Sequence, residues 1–444
     1  MALGRIDTLI VVVLAALCAV FLGLVCRRRS LPGAVVALFC ALPLAAAVLA
    51  LAAPNVVAAN APDGFRYLDQ LTLLRTGGLE ALRAGHITSG KELYPILLLP
   101  LALAVRPTLG VLAVVNATFA AAAILVTQPP GRAGQVLANR WIRYYPFASA
   151  SVLFFMLLPL REGAIVLFLL LFTREVGERG RIAPRALALG ALVFLRPVVA
   201  LCAALSLALM EARSRRLVHR PAIVAGGVAL AAGLLALPPI RSQILGVTAA
   251  KVAGDRNYNA SFSNSGLPAA DGSSWATLAA GLPRDLANVW LRPNPLVDRS
   301  AFVVASVDTV GLLALTRAAV RTRRHALRAG GHPGARIPLA RATYALWFAF
   351  FMAVMYALTV GDLGQLLRGR LAVLAVLWQS QLYEKEPYRD AHLPSRPGRG
   401  LRAGLHLRSR VRRSGGEPPV IDLTGASAGQ DRRLPVEALG RGPR

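Results

Sequence analysis

The chain has 444 residues, of which 55% are hydrophobic and 16% are charged, where a soluble protein of this size carries about 25% charged residues. Several apolar runs reach the roughly 18–20 residues needed to cross a bilayer core of about 30 Å, so a soluble globular protein is excluded and a multi-spanning membrane protein is implied. The formal net charge of +28 comes almost wholly from Arg, most of it in short stretches between apolar runs. That is the distribution of the positive-inside rule, and nucleic-acid binding is excluded as its explanation. Lys is confined to Lys91, Lys251 and Lys385, and with the high Ala content this points to a GC-rich bacterial genome. Cys18, Cys26, Cys40 and Cys202 lie in or beside apolar runs without a CxxC or a Cys/His cluster, so neither a disulfide framework nor a zinc site is implied.

The first apolar run, 7–26, ends at Arg27, Arg28 and Arg29. It is too long for a cleaved signal sequence and reads as a retained anchor, with the arginines in the cytoplasm and the N-terminus outside. A second span, 34–54, returns outward to a first external loop at 55–92. Residues 93–127 are apolar but interrupted by Pro95, Pro100, Arg106 and Pro107. They read as one long span or a pair of short ones, and the basic stretch 128–143 that follows is met by a single crossing and not by a simple hairpin.

Next come apolar segments at 144–160 and 163–173, split by PLREG at 159–163. Residues 174–187 and 211–220 are both basic, yet only 188–210 separates them. Arg196-Pro197 stands in the middle of that stretch, and proline disrupts a helix. Two short segments, out and back, reconcile the charges; such broken helices are tolerated where protein or a water-filled cavity receives the freed backbone groups. A span at 221–238 leads to a second external loop, 239–299, and a span at 300–316 to a basic cytoplasmic loop, 317–341. A span at 342–360, a short outer turn at 361–370 and a last span at 367–383 complete the membrane domain, 1–383. The tail, 384–444, is rich in Arg, Pro and Gly and reads as disordered and able to contact anionic lipid headgroups. The expected fold is therefore all-α: a polytopic integral membrane protein of roughly 10–13 transmembrane or re-entrant helices, with two external loops bearing short helices.

On this topology the notable polar residues collect at the outer boundary. They are Asp63, Arg66, Tyr67 and Asp69 within APDGFRYLDQL, then His86, Lys91 and Glu92, then Arg161 and Glu162, Arg196, Arg292, and finally Asp362, Arg368 and Arg370. A transporter concentrates such groups near the midplane; a boundary cluster suits an enzyme acting on a lipid-linked substrate. A carboxylate can take the proton of an attacking hydroxyl or hold a divalent cation. Asp63 and Asp69 are the candidates for that role, with Glu162 a third catalytic candidate. Arginines can grip a carrier phosphate through charge-assisted hydrogen bonds, and Arg161, Arg196, Arg292, Arg368 and Arg370 are candidates, with Tyr67 beside them. Plain roles compete: Asp63-Gly64 is a turn dipeptide, Tyr67 an interfacial anchor, and Arg368 and Arg370 snorkelling side chains. There is no P-loop, GxSxG, HExxH or dinucleotide fingerprint.

An acidic residue at the start of the first external loop, followed by Tyr as in Asp63-Gly-Phe-Arg-Tyr67, resembles the C-type multi-spanning glycosyltransferases. The stretches LLPLREGAIVLFLLL, LANVWLRPNPLVDRS and GDLGQLLRGRLAVLAVLW are similar to bacterial surface-polysaccharide membrane proteins. The resemblance implies a polyprenyl-phosphate-linked sugar donor, with Asp63 as base or as ligand of a magnesium or manganese ion. Gly64 stands where the family carries a second acid, which leaves metal dependence open. The expected function is an inverting glycosyltransferase at the outer face of the cytoplasmic membrane, acting on a glycan or lipid-linked acceptor in cell-envelope or exopolysaccharide synthesis. The alternatives are an oligosaccharide repeat-unit polymerase, a lipid-linked sugar flippase or transporter, and a non-catalytic scaffold.

Overall fold

A computed structural model describes residues 4–83, 93–127, 145–177, 182–213, 249–261, 271–292, 303–329, 335–359 and 363–382. The expected span at 221–238, the basic stretch 128–143, the tail from 384, and His86, Lys91, Glu92 and Asp362 lie outside the described residues. All regular structure among the described residues is helical. In chain order the helices are α1 (Arg5–Arg28), α2 (Gly33–Ala52), α3 (Pro54–Asn60), α4 (Pro62–Arg83), α5 (Leu93–Ala104), α6 (Leu109–Thr127), α7 (Ala150–Leu157), α8 (Glu162–Arg174), α9 (Ile182–Leu195), α10 (Pro197–Arg213), α11 (Ala249–Ser261), α12 (Trp275–Leu291), α13 (Val303–Arg328), α14 (Arg336–Thr359) and α15 (Leu363–Gln381). Four of them, α1, α2, α6 and α14, are long and apolar enough to cross a membrane, and the bent pair α7–α8 makes a fifth if counted as one span. The chain is an all-α polytopic membrane protein.

α6 and α8 form the centre. α1 and α2 pack on each other and on α6; α8 also meets α9 and α15; α14 contacts α10, α12, α13 and α15. α6 is buried along nearly its whole length. α1 instead exposes Ile6, Leu9, Val13, Leu17, Val20 and Leu24, a stripe that water would penalise and acyl chains accept. Arg106 lies 3.9 Å from Asp7 near the start of α1, and Arg29 donates to the Leu125 carbonyl at 2.8 Å near its end, so α1 and α6 run parallel. At that second end Arg341 donates to the carbonyls of Arg174 (2.6 Å) and Val176. Guanidinium groups thus take up carbonyls that the last turns of α6 and α8 leave unpaired.

The expected break at 159–163 is present and sharp: α7 and α8 meet at 116°. Such a bend frees backbone groups that hydrocarbon cannot satisfy, and one polar side chain from the apolar helix α6 satisfies four of them. Asn116 of α6 donates through Nδ2 to the carbonyls of Phe155, Met156 and Leu158 at 3.0–3.1 Å, and its Oδ1 accepts from Gly163 N at 2.7 Å. At the other end of α7, Asp308 of α13 accepts from Ser151 N at 2.8 Å. α7 is therefore a strap held between α13 and α6. Gly163 is required here, because a Cβ would collide with the Asn116 carbonyl oxygen.

Residues 93–127 are a pair of helices and not one long span, α5 and α6, separated at 105–108. Other boundaries differ from the sequence expectation. α13 continues as helix to Arg328, so Arg317 to Arg324 extend a helix instead of opening a loop. α15 begins at Leu363, so Arg368 and Arg370 lie within a helix, not in a turn. Arg196 is the single non-helical residue between α9 and α10, as Pro197 dictates.

Candidate functional site

α3 and α4 both open on proline, whose fixed φ suits the first helical turn, and this turns APDGFRYLDQL into the start of a helix. Helical periodicity then sorts its polar residues. Asp63 and Tyr67, four apart, face the bundle together with Gln70, Leu71 and Leu74, while Phe65, Arg66 and Asp69 lie toward the outer face. The close approach is made at Gly64, where a Cβ would meet the Pro159 carbonyl oxygen at 3.0 Å and Leu109 at 3.1 Å. A second acid at this position has no room. The α7–α8 break and the start of α4 are thereby pressed together.

Arg368 joins the two segments. Its Nη1 donates to Asp63 Oδ2 at 2.8 Å, and its Nε donates to Glu162 Oε1. Arg196 Nη1 approaches the same Glu162 oxygen at 3.7 Å. Glu162 is 2% exposed and Arg161 8% exposed, whereas Asp63 and Arg368 retain about a fifth of their side-chain surface (22% and 20%). Arg161 and Tyr67 complete the group: the Tyr67 phenol is held well above its ordinary pKa by burial, opposed by the nearby Arg161 charge and reinforced by Glu162 and Asp63. Asp63, Glu162, Arg161, Arg196 and Arg368 together carry three positive and two negative charges.

The depth of this cluster differs from a site lying wholly at the membrane boundary. Gly64 is level with Leu109 at the end of α6, but Gly163 is level with Asn116, about two turns or roughly 10 Å further along that helix. The cluster is sunk into the bundle, where an arginine without an anion costs at least about 2.5 kcal/mol. Glu162 is the anion that two of the three arginines use.

Of the other sequence candidates, Asp69 stays on the opposite face of α4 and does not reach the cluster. Arg370, two residues beyond Arg368, points elsewhere: it donates to Thr309 Oγ1 at 3.1 Å and to the Val289 carbonyl. Gly369 between them packs against the Tyr356 ring, which a Cβ would strike. Arg292 is buried at the C-cap of α12, three residues beyond Val289. Arg292 and Arg370 thus belong to the α12–α13 side of α15.

Sequence reasoning missed Asn116, Asp308 and Tyr94. Tyr94 of α5 is fully buried, with its ring 5.1 Å from that of Tyr67, edge to face. An uncharged amide in the run LGVLAVVNATF and an acid six residues into α13 are the signals that point to the first two, since polar groups inside apolar helices need partners.

Among the described residues no three His, Cys, Asp or Glu side chains come together as a metal site. Asp63 and Glu162 are the available carboxylates, and a guanidinium lies between them. This donor set, with two further arginines beside it, fits an anion and not a divalent cation. Compared with known proteins, the chain matches no family model, no curated protein and no solved structure, so the functional reading rests on the site itself.

Proposed function

We propose that the chain is a membrane glycosyltransferase that takes a sugar from a polyprenyl-phosphate donor. The observation that carries this reading is the meeting of Asp63, Glu162, Arg196 and Arg368, from four distant stretches of chain, with Arg161 beside them in an apolar helical bundle. Three arginines against two carboxylates leave one positive charge for a phosphodiester. Guanidinium groups suit it because their planar donors match phosphoryl oxygens.

Asp63 is the base in this reading, as the more accessible of the two carboxylates. It takes the proton of an acceptor hydroxyl, whose oxygen bonds to the anomeric carbon. The bond from that carbon to the phosphate oxygen breaks, and its electron pair stays on the released polyprenyl phosphate. The arginines stabilise the charge that develops there. One displacement inverts the anomeric centre. Glu162, buried and shared by Arg368 and Arg196, holds the arginines in place. The active face is the outer side of the cytoplasmic membrane, with the N-terminus on that side and the basic tail in the cytoplasm.

A repeat-unit polymerase is the second reading. It is favoured by one contact: Asp63 is engaged by Arg368 at 2.8 Å, as suits a cluster that binds anions without a base. Purified protein in proteoliposomes, given a radiolabelled polyprenyl-phosphate sugar and membrane glycan acceptors, distinguishes the readings. Label in a product lengthened by one sugar supports the transferase. Label moved across the bilayer without a new glycosidic bond eliminates both enzymatic readings. Loss of product in Arg368→Ala with full activity in Asp63→Ala supports the polymerase.

A further inference from the structure

Glu162 Oε1 carries Arg368 and Arg196, but its other oxygen, Oε2, has no hydrogen-bond partner among the described residues. The same holds for Nε and Nη1 of Arg161 and for the hydroxyls of Tyr67 and Tyr94. All four residues are more than nine-tenths buried. The two phenol rings touch edge to face. Tyr67 lies one turn along α4 from Asp63, which shares Arg368 with Glu162, and Gly64 between them packs against Pro159, so the two phenols lie beside the α7–α8 break that carries Arg161 and Glu162. Buried polar atoms are almost always paired, and here five are left together.

Their chemistry is lopsided. Arg161 offers two nitrogens with three N–H bonds and the phenols two O–H donors, against a single acceptor oxygen on Glu162. A ligand that satisfies them presents several acceptor oxygens, bears negative charge, and carries one hydroxyl. A phosphomonoester in its monoanionic form has that set: its phosphoryl oxygens accept, and its P–OH donates to Glu162 Oε2.

We infer that Arg161, Tyr67, Tyr94 and Glu162 Oε2 form a buried subsite for a phosphoryl oxyanion. The inference rests on the proposed function in one respect: the phosphomonoester would be the released carrier lipid. It assigns direct phosphate contact to Arg161 and adds Tyr94, which nothing in the sequence singled out. The unfilled hydrogen bonds leave two sources of the phosphate, a lipid head or a free ion, and the test separates them.

Binding is measured on the full chain in nanodiscs by titration calorimetry, with farnesyl phosphate, farnesol and inorganic phosphate as probes. Farnesyl phosphate is expected to bind at least about 10-fold more tightly than farnesol, since hydrogen bonds to a charged group are worth that much or more. Tyr94→Phe keeps the ring packing and removes one donor; it is expected to weaken farnesyl phosphate about 10-fold and to leave farnesol unchanged. Tyr344→Phe removes another buried phenol, packed between Phe172 and Phe348, and is expected to change nothing. Arg161→Gln is expected to abolish the preference for phosphate, with thermal unfolding checked in parallel. Competition by inorganic phosphate supports a free-ion source, and its absence a lipid head; both support the subsite. Equal affinity for farnesol and farnesyl phosphate, or unchanged binding in Tyr94→Phe together with a folded Arg161→Gln, overturns it. The two proposals fail separately: sugar transfer with farnesyl phosphate binding unaffected in both Tyr94→Phe and a folded Arg161→Gln overturns the subsite alone, while Tyr94-dependent phosphate binding without any transfer overturns the enzyme alone.

Discussion

Arg368 Nε donates to Glu162 Oε1 across 206 residues of sequence, and this contact ties the first turn of α8 to the second turn of α15. Arg368 also reaches Asp63 at the start of α4, so one guanidinium holds three segments at one point. Glu162 is the hub, because Arg196 shares the same oxygen.

Removing the hub takes from Arg196 its carboxylate and leaves Arg368 with Asp63 alone. Breaking a buried pair in this way destabilises by about 3–5 kcal/mol. Glu162→Gln is therefore expected to lower the thermal unfolding midpoint in detergent far more than Asp69→Asn, whose carboxylate lies on the outer face of α4. Equal midpoints for the two variants would count against Glu162 as the counter-ion.

The α7–α8 break depends on Asn116. Asn116→Leu leaves three carbonyls and the Gly163 N–H without the partner they have now. An unsatisfied buried group costs about 1–3 kcal/mol, so this variant is expected to fold poorly. Gly163→Ala fails for a different reason, the collision of its Cβ with the Asn116 carbonyl oxygen. Both are checked by the monodisperse fraction in gel filtration, and a wild-type profile for either contradicts the strap.

Gly369 lets α15 lie close against α14 because it has no side chain: Gly369→Ala drives a methyl into the Tyr356 ring. Arg368 and Arg370 flank this contact. Because helix geometry turns each residue by about 100°, shifting α15 here moves Arg368 from Asp63 and Arg370 from Val289 at once. The variant is expected to lose transfer while Gly190→Ala, where a Cβ meets nothing within 4 Å, retains it. The transfer assay on matched amounts of folded protein reads the difference.

Much of this site was legible in the sequence because charge is conspicuous in an apolar chain. Asp63, Arg161, Glu162, Arg196 and Arg368 stand out as residues that need partners, and Pro197 fixes the break beside Arg196. What was not legible was direction. Asp63 and Asp69 look equivalent as letters, and only their angular separation on α4 divides them. Arg368 and Arg370 look like a pair, yet two residues of helix send them to opposite sides of α15. Asn116 and Tyr94 carry no charge, and in runs of Ala, Val and Leu they read as ordinary members of a span. The depth of the cluster depended on pairing Gly163 with Asn116, a contact between residues 47 apart.

The most direct measurement is the rate of sugar transfer by Asp63→Asn in proteoliposomes, relative to wild type at equal thermal stability. Asn keeps the shape and a hydrogen bond to Arg368 but cannot take a proton. A well-placed general base contributes roughly 10²–10⁴-fold, so the expected result is a loss within that range with the phosphate probe still bound. Transfer at the wild-type rate would contradict Asp63 as the base and with it the proposed mechanism.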